Sequence, residues 1–357
     1  MRTQTLHNTV RQELSSEISD GYALLELARG WLKQGNPVVA YELLTSAFRS
    51  PEADSDRRLR AQIMMETGRA LMMQSQWDQA ETSLLEAQRI FMDLEDHQGA
   101  AQSARNRANM YFQKGRFRES EDLCQQALEW ASAINDRQMR ATILNTLGAI
   151  KSANGDYREA IKTLRLCLAD FHSSGNRIRQ GYVLLNIGLT QIEISDFAEA
   201  IGSLNQALAI ALEEKDLNLV EICYQNISKC YLAQKETNLA KSVIDTARKI
   251  LPGLNSKALE AELNIIDSSI LRLTGDTKGA AKLLEETHEL TVEHKLTALQ
   301  ADVLLEQGLL EREKGHNDLA VAKLDAAANQ FRQVGLDQGF RKAVQALENL
   351  KRKQDAP

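Results

Sequence analysis

Small and apolar residues recur along this chain with a period of forty. Ala40, Ala80, Ser120, Ala160, Ala200, Ala240, Ala280 and Ala320 form one register of eight. Twelve residues earlier in each block stands another small residue: Ala28, Gly68, Ala108, Gly148, Gly188, Ser228, Ser268 and Gly308. Four residues after the register comes an apolar position: Leu44, Leu84, Cys124, Leu164, Leu204, Ile244, Leu284 and Leu324. Seven after it comes a second small one, Ala47, Ala87, Ala127, Cys167, Ala207, Ala247, Thr287 and Ala327. Offsets of four and seven lie on one face of an α-helix, so each block carries a helix with a fixed buried stripe.

Five residues before the register stand Gly35, Ser75, Gly115, Gly155, Ser195, Lys235, Gly275 and Gly315. Glycine there suits a helix end, where a left-handed backbone costs it little. A second break falls near 95, 135, 175, 215, 255, 295 and 335, with turn pairs such as Glu95-Asp96, Asn135-Asp136 and Gly175-Asn176. Pro37 is placed to open a helix, where its missing N–H matters little, and Pro51 and Pro252 lie just before breaks. Each block therefore predicts helix, short turn, helix. Small residues facing each other would let the two helices approach closely, and a larger side chain would overpack the contact at roughly 1–3 kcal/mol.

Eight such blocks fill residues 21–335. Residues 1–20 are predicted to form an N-terminal segment or capping helix. Residues 336–357 are predicted to form a C-terminal capping helix and tail, with Lys351, Arg352 and Lys353 suited to a helix C-terminus. Length alone suggests about two domains. The unbroken period argues instead for one all-α, quasi-linear solenoid held by nearest-neighbour stacking. Four prolines, 5% aromatic residues and abundant Ala, Leu, Glu, Gln and Arg agree with helix throughout.

The spacing resembles that of tetratricopeptide repeats, most closely in 144–168 and 185–208. The aromatic position of the motif is filled by Trp77, Phe117, Tyr157 and Phe197 in the inner blocks and departs to Pro37, Thr237, Thr277 and Asn317 elsewhere. The usual repeat has 34 residues. The forty-residue form is similar to kinesin light chain, to Pins/LGN-type adaptors and to bacterial sensor domains. The resemblance implies a right-handed α-solenoid whose first helices line a concave groove that holds an extended peptide or partner segment. It implies that groove positions lie six, three and two residues before the small residue of the first helix, and one, four and five after it.

Those slots hold Asn106, Asn186 and Asn226, each two before the small residue, and Asn145 three before it. Asn109, Arg69 and Lys229 stand one after it, Arg105 three before and Tyr182 six before. An amide both donates and accepts, so a row of them can pair with the backbone of an extended peptide whatever its side chains. Arg69, Arg105 and Lys229 have few carboxylate neighbours in their slots, whereas the last block brings Asp302, Glu306 and Glu313. An acidic peptide, or one bearing a C-terminal carboxylate, is therefore expected over blocks two to six. The two-carboxylate clamp of chaperone-binding repeats is not evident.

No phosphate loop, dinucleotide fingerprint, H-E-x-x-H or G-x-S-x-G occurs. His288 and His294 do not share a helical face, and neither a metal site nor a cofactor is expected. Cys124 and Cys167 occupy packing slots, and the four cysteines show no C-x-x-C spacing. Met64, Met65, Met72 and Met73 read as core filler or as an adaptable apolar patch. The net charge of −6 argues against direct nucleic-acid binding. The absence of any long apolar run argues against membrane insertion and predicts a cytoplasmic location. The expected function is a non-catalytic peptide- or protein-binding adaptor or sensor. The alternatives are a regulatory domain working with a signalling enzyme or transcription regulator, and a scaffold that self-associates through the solenoid ends.

Overall fold

The structure is a computed structural model that describes residues 20–250 and 256–354. Among these residues it contains eighteen helices and no strand. The first are α1 Gly21–Lys33, α2 Pro37–Phe48, α3 Pro51–Ser55, α4 Arg57–Met73, α5 Trp77–Asp93 and α6 His97–Gln113. There follow α7 Phe117–Ala133, α8 Arg137–Asn154, α9 Tyr157–Ser173, α10 Arg177–Glu193, α11 Phe197–Glu214 and α12 Leu217–Ala233. The last are α13 Thr237–Ile250, α14 Lys257–Leu273, α15 Thr277–Glu293, α16 Thr297–Glu313, α17 Asn317–Gln333 and α18 Asp337–Gln354. The arrangement is an α-solenoid of helix–turn–helix repeats.

The helix boundaries follow from the forty-residue beat. Backbone φ is positive at 35, 75, 95, 115, 135, 155, 175, 195, 215, 235, 275, 295, 315 and 335. Seven of these residues are not glycine, among them Ser75, Glu95, Lys215 and Lys235. The turn is thus imposed by the packing of the helices it joins and does not depend on glycine's freedom. Lys235, where the glycine pattern lapses, makes the same left-handed turn as its counterparts. At the opposite ends, Asp56, Asp96, Asp136, Asp216, Ser256 and Asp276 cap their helices by accepting a backbone N–H. The first repeat differs from the others. Pro51 does not end it but opens the extra short helix α3, capped by Ser50. Pro252, residues 1–19 of the N-terminal segment and residues 355–357 of the tail lie outside the described residues.

All eight register residues are fully buried, as are Ala28 and Ala108. The close approach of the paired helices differs in one respect from small residue facing small residue. A methyl group added at Gly68 would lie 2.4 Å from Leu84 Cγ, at Gly148 2.6 Å from Leu164 Cγ, and at Gly188 2.8 Å from Leu204 Cγ. The small residue of the first helix therefore seats the apolar residue four after the register on the second helix. Where the first helix has Ala108, its carbonyl accepts a hydrogen bond from the buried Ser120 hydroxyl at 2.6 Å. Successive repeats are joined by a second contact: the buried ring of Phe91 fills the space beside Gly99, and Phe331 does the same beside Gly339.

The contacts divide into two compact units, Met1–Asn186 and Ile187–Pro357. In the first, α1 touches α4, α4 touches α6 and α6 touches α8. In the second, α12 touches α14, α14 touches α16 and α16 touches α18. Among the described residues of either unit, second helices of successive repeats do not touch. In each unit the first helices are therefore the closer-spaced, inner layer, and their free face is the candidate binding surface.

Candidate functional site

In the first unit the inner face begins with an ion-pair chain. Glu66 on α4 is 2% exposed and accepts from Arg29 Nε at 3.1 Å and Arg69 Nη1 at 2.5 Å, while Arg29 also reaches Glu26 at 2.5 Å. A buried carboxylate held by two guanidinium groups is well satisfied. Arg69 is therefore partly neutralised by its own repeat, which its slot alone did not reveal.

One helix further on, the balance reverses. Arg105 on α6 is half-buried and meets a neutral partner: Nη2 donates to Asn106 Oδ1 at 3.3 Å. Desolvation lowers its pKa, and the positive charges of Arg69 and Arg179 lower it further. Its Nε is buried with no hydrogen-bond acceptor. Asn106 is 3% exposed, and its Nδ2 is also buried and unpaired. A guanidinium and an amide are thus held, with two donors unmet, beside two further cations. Unmet buried donors cost roughly 1–3 kcal/mol each, and ordered water or a bound acceptor is the usual remedy.

The remaining amides are arranged differently. Asn186 on α10 donates to Asn145 Oδ1 on α8 at 2.9 Å, so these two form a bridge between neighbouring first helices. Asn109 and Tyr182 are half-buried on α6 and α10. Arg179, exposed at the start of α10, belongs with Arg69 and Arg105 electrostatically although it holds none of the predicted slots. The aligned row in sequence is thus a cationic cluster with one unsatisfied amide, followed by an amide pair.

In the second unit Asn226 donates to the carbonyl of Ile222 in its own helix at 2.8 Å. Asn226 and Lys229 line a recess of about 540 Å³ walled by α10, α12 and α18. The acidic end of the inner face is largely neutralised from within. Arg272, 9% exposed, donates to Glu306 at 3.1 Å and to Glu313 at 2.5 Å. Nearby, burial and the charge of Glu221 push the Glu262 carboxyl up to about 7, against the opposing pull of Lys229. Glu262 also bonds to Gln225.

Other candidate chemistry is accounted for by packing. All four cysteines are buried and free; burial pushes the thiols of Cys124, Cys167 and Cys223 up to about 12 and that of Cys230 to about 11. Such thiols stay protonated at neutral pH and are poor nucleophiles. Met65 sits in the core, whereas Met73 is 49% exposed. Among the described residues no group of three His, Cys, Asp or Glu side chains could hold a metal ion. No helix among them is long and apolar enough to cross a membrane.

The tetratricopeptide repeat family model matches residues 59–133, 99–171 and 139–213 in overlapping windows. These windows advance by forty residues, as the register does. Residues 59–213 match tetratricopeptide repeats. A kinesin light chain-related protein of Arabidopsis thaliana is 24% identical over 249 residues, a match that covers 67% of this chain and 41% of that protein. Among solved structures, a signal transduction ATPase with numerous domains and a tetratricopeptide repeat sensor, from Pyrococcus horikoshii, has a TM-score of 0.65 at 18% identity, covering 83% of this chain and 46% of that one. The apo quorum sensor NprR from B. thuringiensis has a TM-score of 0.61 at 13% identity, covering 98% of this chain and 93% of that one. This chain thus spans less than half the length of the first two, and at these identities the structural likeness extends to the fold.

Proposed function

We propose that these tetratricopeptide repeats form a non-catalytic sensor or adaptor module that holds an acidic peptide or partner segment against the inner face of the first unit. The observation that carries this reading is the Arg105–Asn106 pair. Two buried donors without acceptors, flanked by Arg69 and Arg179, form a preorganised site for a carboxylate. The Asn145–Asn186 bridge offers further amide atoms one helix along, suited to the backbone of the same segment. Residues Asn109 and Tyr182 extend this surface, and Asn226 with Lys229 provides a comparable one in the second unit.

The partial coverage of the kinesin light chain-related protein and of the ATPase favours a second reading, in which the module regulates an output domain or a separate signalling protein. Both readings share the same test. The partner retained by the purified chain is identified by mass spectrometry, and its binding is then measured with Asn106, Asn186 and Asn226 all changed to Ala. Loss of binding with an unchanged helical circular dichroism signal is expected. Undiminished binding would remove the inner face from the account.

A further inference from the structure

The recess in the second unit has features that a helix cap alone does not require. Its rim carries three cations, Lys229 from α12 and Arg341 and Lys342 from α18. None of the three lies within 4 Å of a carboxylate in the ion pairs of the described residues. The one carboxylate of the lining, Glu193 at the end of α10, accepts from the Gln338 amide at 2.6 Å. Leu189, Ile192 and Phe197 give the recess an apolar wall, and Leu189 is 36% exposed. The amides of Asn226 and Gln345 complete it. A volume of about 540 Å³ lies within the roughly 300–1,000 Å³ range of small-ligand sites.

We infer that α18 completes a second binding site in this chain, one that takes a carboxylate joined to a compact apolar group, such as the free C-terminus of a peptide ending in an apolar residue. The cations would hold the carboxylate, and the Leu189–Ile192–Phe197 wall would take the apolar group. The electrostatics of the site agree with this. Lys342 is open to solvent, yet desolvation and the adjacent charge of Lys229 lower its pKa, outweighing the opposing Asp302, Glu193 and Glu306. An added anion would relieve that repulsion. The site lies wholly in the second unit and rests on the Asn226–Lys229 surface of the proposed function, not on the Arg105–Asn106 pair.

The test uses the full chain with its lysines reductively ¹³C-methylated, the Lys342 signal being assigned by its disappearance in Lys342→Arg. Three probes are titrated by calorimetry and NMR at low salt: N-acetyl-Ala-Ala-Leu as the free acid, the same peptide as its amide, and inorganic phosphate. The free acid is expected to bind about tenfold more tightly than the amide and to raise the pKa of Lys342, because charge-assisted bonds are the stronger ones. Arg341→Gln and Lys229→Gln, both at exposed or rim positions, should each weaken it by about tenfold. Lys282→Gln, on the exposed second helix α15, should leave it unchanged. Equal binding of acid and amide would overturn the inference. So would phosphate binding as tightly as the acid, which would make this a site for bare anions, or a Lys342 signal unmoved by the acid, which would place the peptide elsewhere.

Discussion

The helix-pair contact is the feature on which the repeat rests, and Gly148→Ala tests it quantitatively. The added methyl would stand 2.6 Å from both Cγ and Cδ2 of Leu164, whereas favourable carbon–carbon contact needs about 3.5–4.0 Å. Leu164 is fully buried and its branch point as well as its tip is in the way, so relief requires a rotamer change or separation of α8 from α9. Such overpacking costs about 1–3 kcal/mol. Replacing a mid-helix glycine by alanine also gains roughly 0.5–1 kcal/mol of helix stability. Gly30→Ala, on α1 in the same unit, meets nothing within 4 Å and keeps only the gain. The difference between the two variants in urea unfolding, followed by far-ultraviolet circular dichroism, therefore isolates the packing cost at about 1–3 kcal/mol. In a Leu164→Ala background the clash disappears, and Gly148→Ala should become stabilising. Equal stability of Gly148→Ala and Gly30→Ala, or no change of sign in the Leu164→Ala background, would refute the reasoning.

Arg272→Ala should destabilise the protein by about 3–5 kcal/mol in the same assay, because it strands Glu306 and Glu313 beside a buried site; an effect below about 1 kcal/mol would show the pair to be solvated. The Glu262 carboxyl, raised from 4.5 to about 7, binds a proton more tightly folded than unfolded. Its contribution to stability is complete below about pH 4.5 and is lost as pH rises through about 7, so unfolding free energy should fall across that window. Glu262→Gln should flatten that slope in urea titrations at several pH values. Lys235→Gly should raise stability by about 1 kcal/mol, since it removes a left-handed turn from a side-chain-bearing residue. No gain would indicate that Lys235 makes compensating contacts.

The turns and the buried stripe were legible because each is a local event repeated in step: a helix end every twenty residues and a contact between residues sixteen apart, as in Gly148 and Leu164. Even lapses such as Lys235 kept the geometry, since the packed helices on either side dictate it. The register also placed Arg105 and Asn106 on the inner face. It did not convey how charges pair across helices. Arg69 looked free until Glu66 was seen to hold it together with Arg29. Asn145 and Asn186, aligned as separate hydrogen-bonding groups, satisfy each other. Arg179 falls outside the predicted slots, and the recess depends on Gln338 meeting Glu193, a contact across 145 residues that no local pattern encodes.

The central claim is that Arg105 is kept for binding at the expense of stability, and Arg105→Gln measures it directly. The substitution removes a desolvated charge crowded by Arg69 and Arg179, an unfavourable balance that the more weakly acting Glu66 carboxylate does not offset. Unfolding free energy should therefore stay level or rise, by up to about 1 kcal/mol, while the retained partner is lost in co-purification. A variant destabilised by about 2 kcal/mol or more that still retains its partner would contradict the claim and assign Arg105 a structural role.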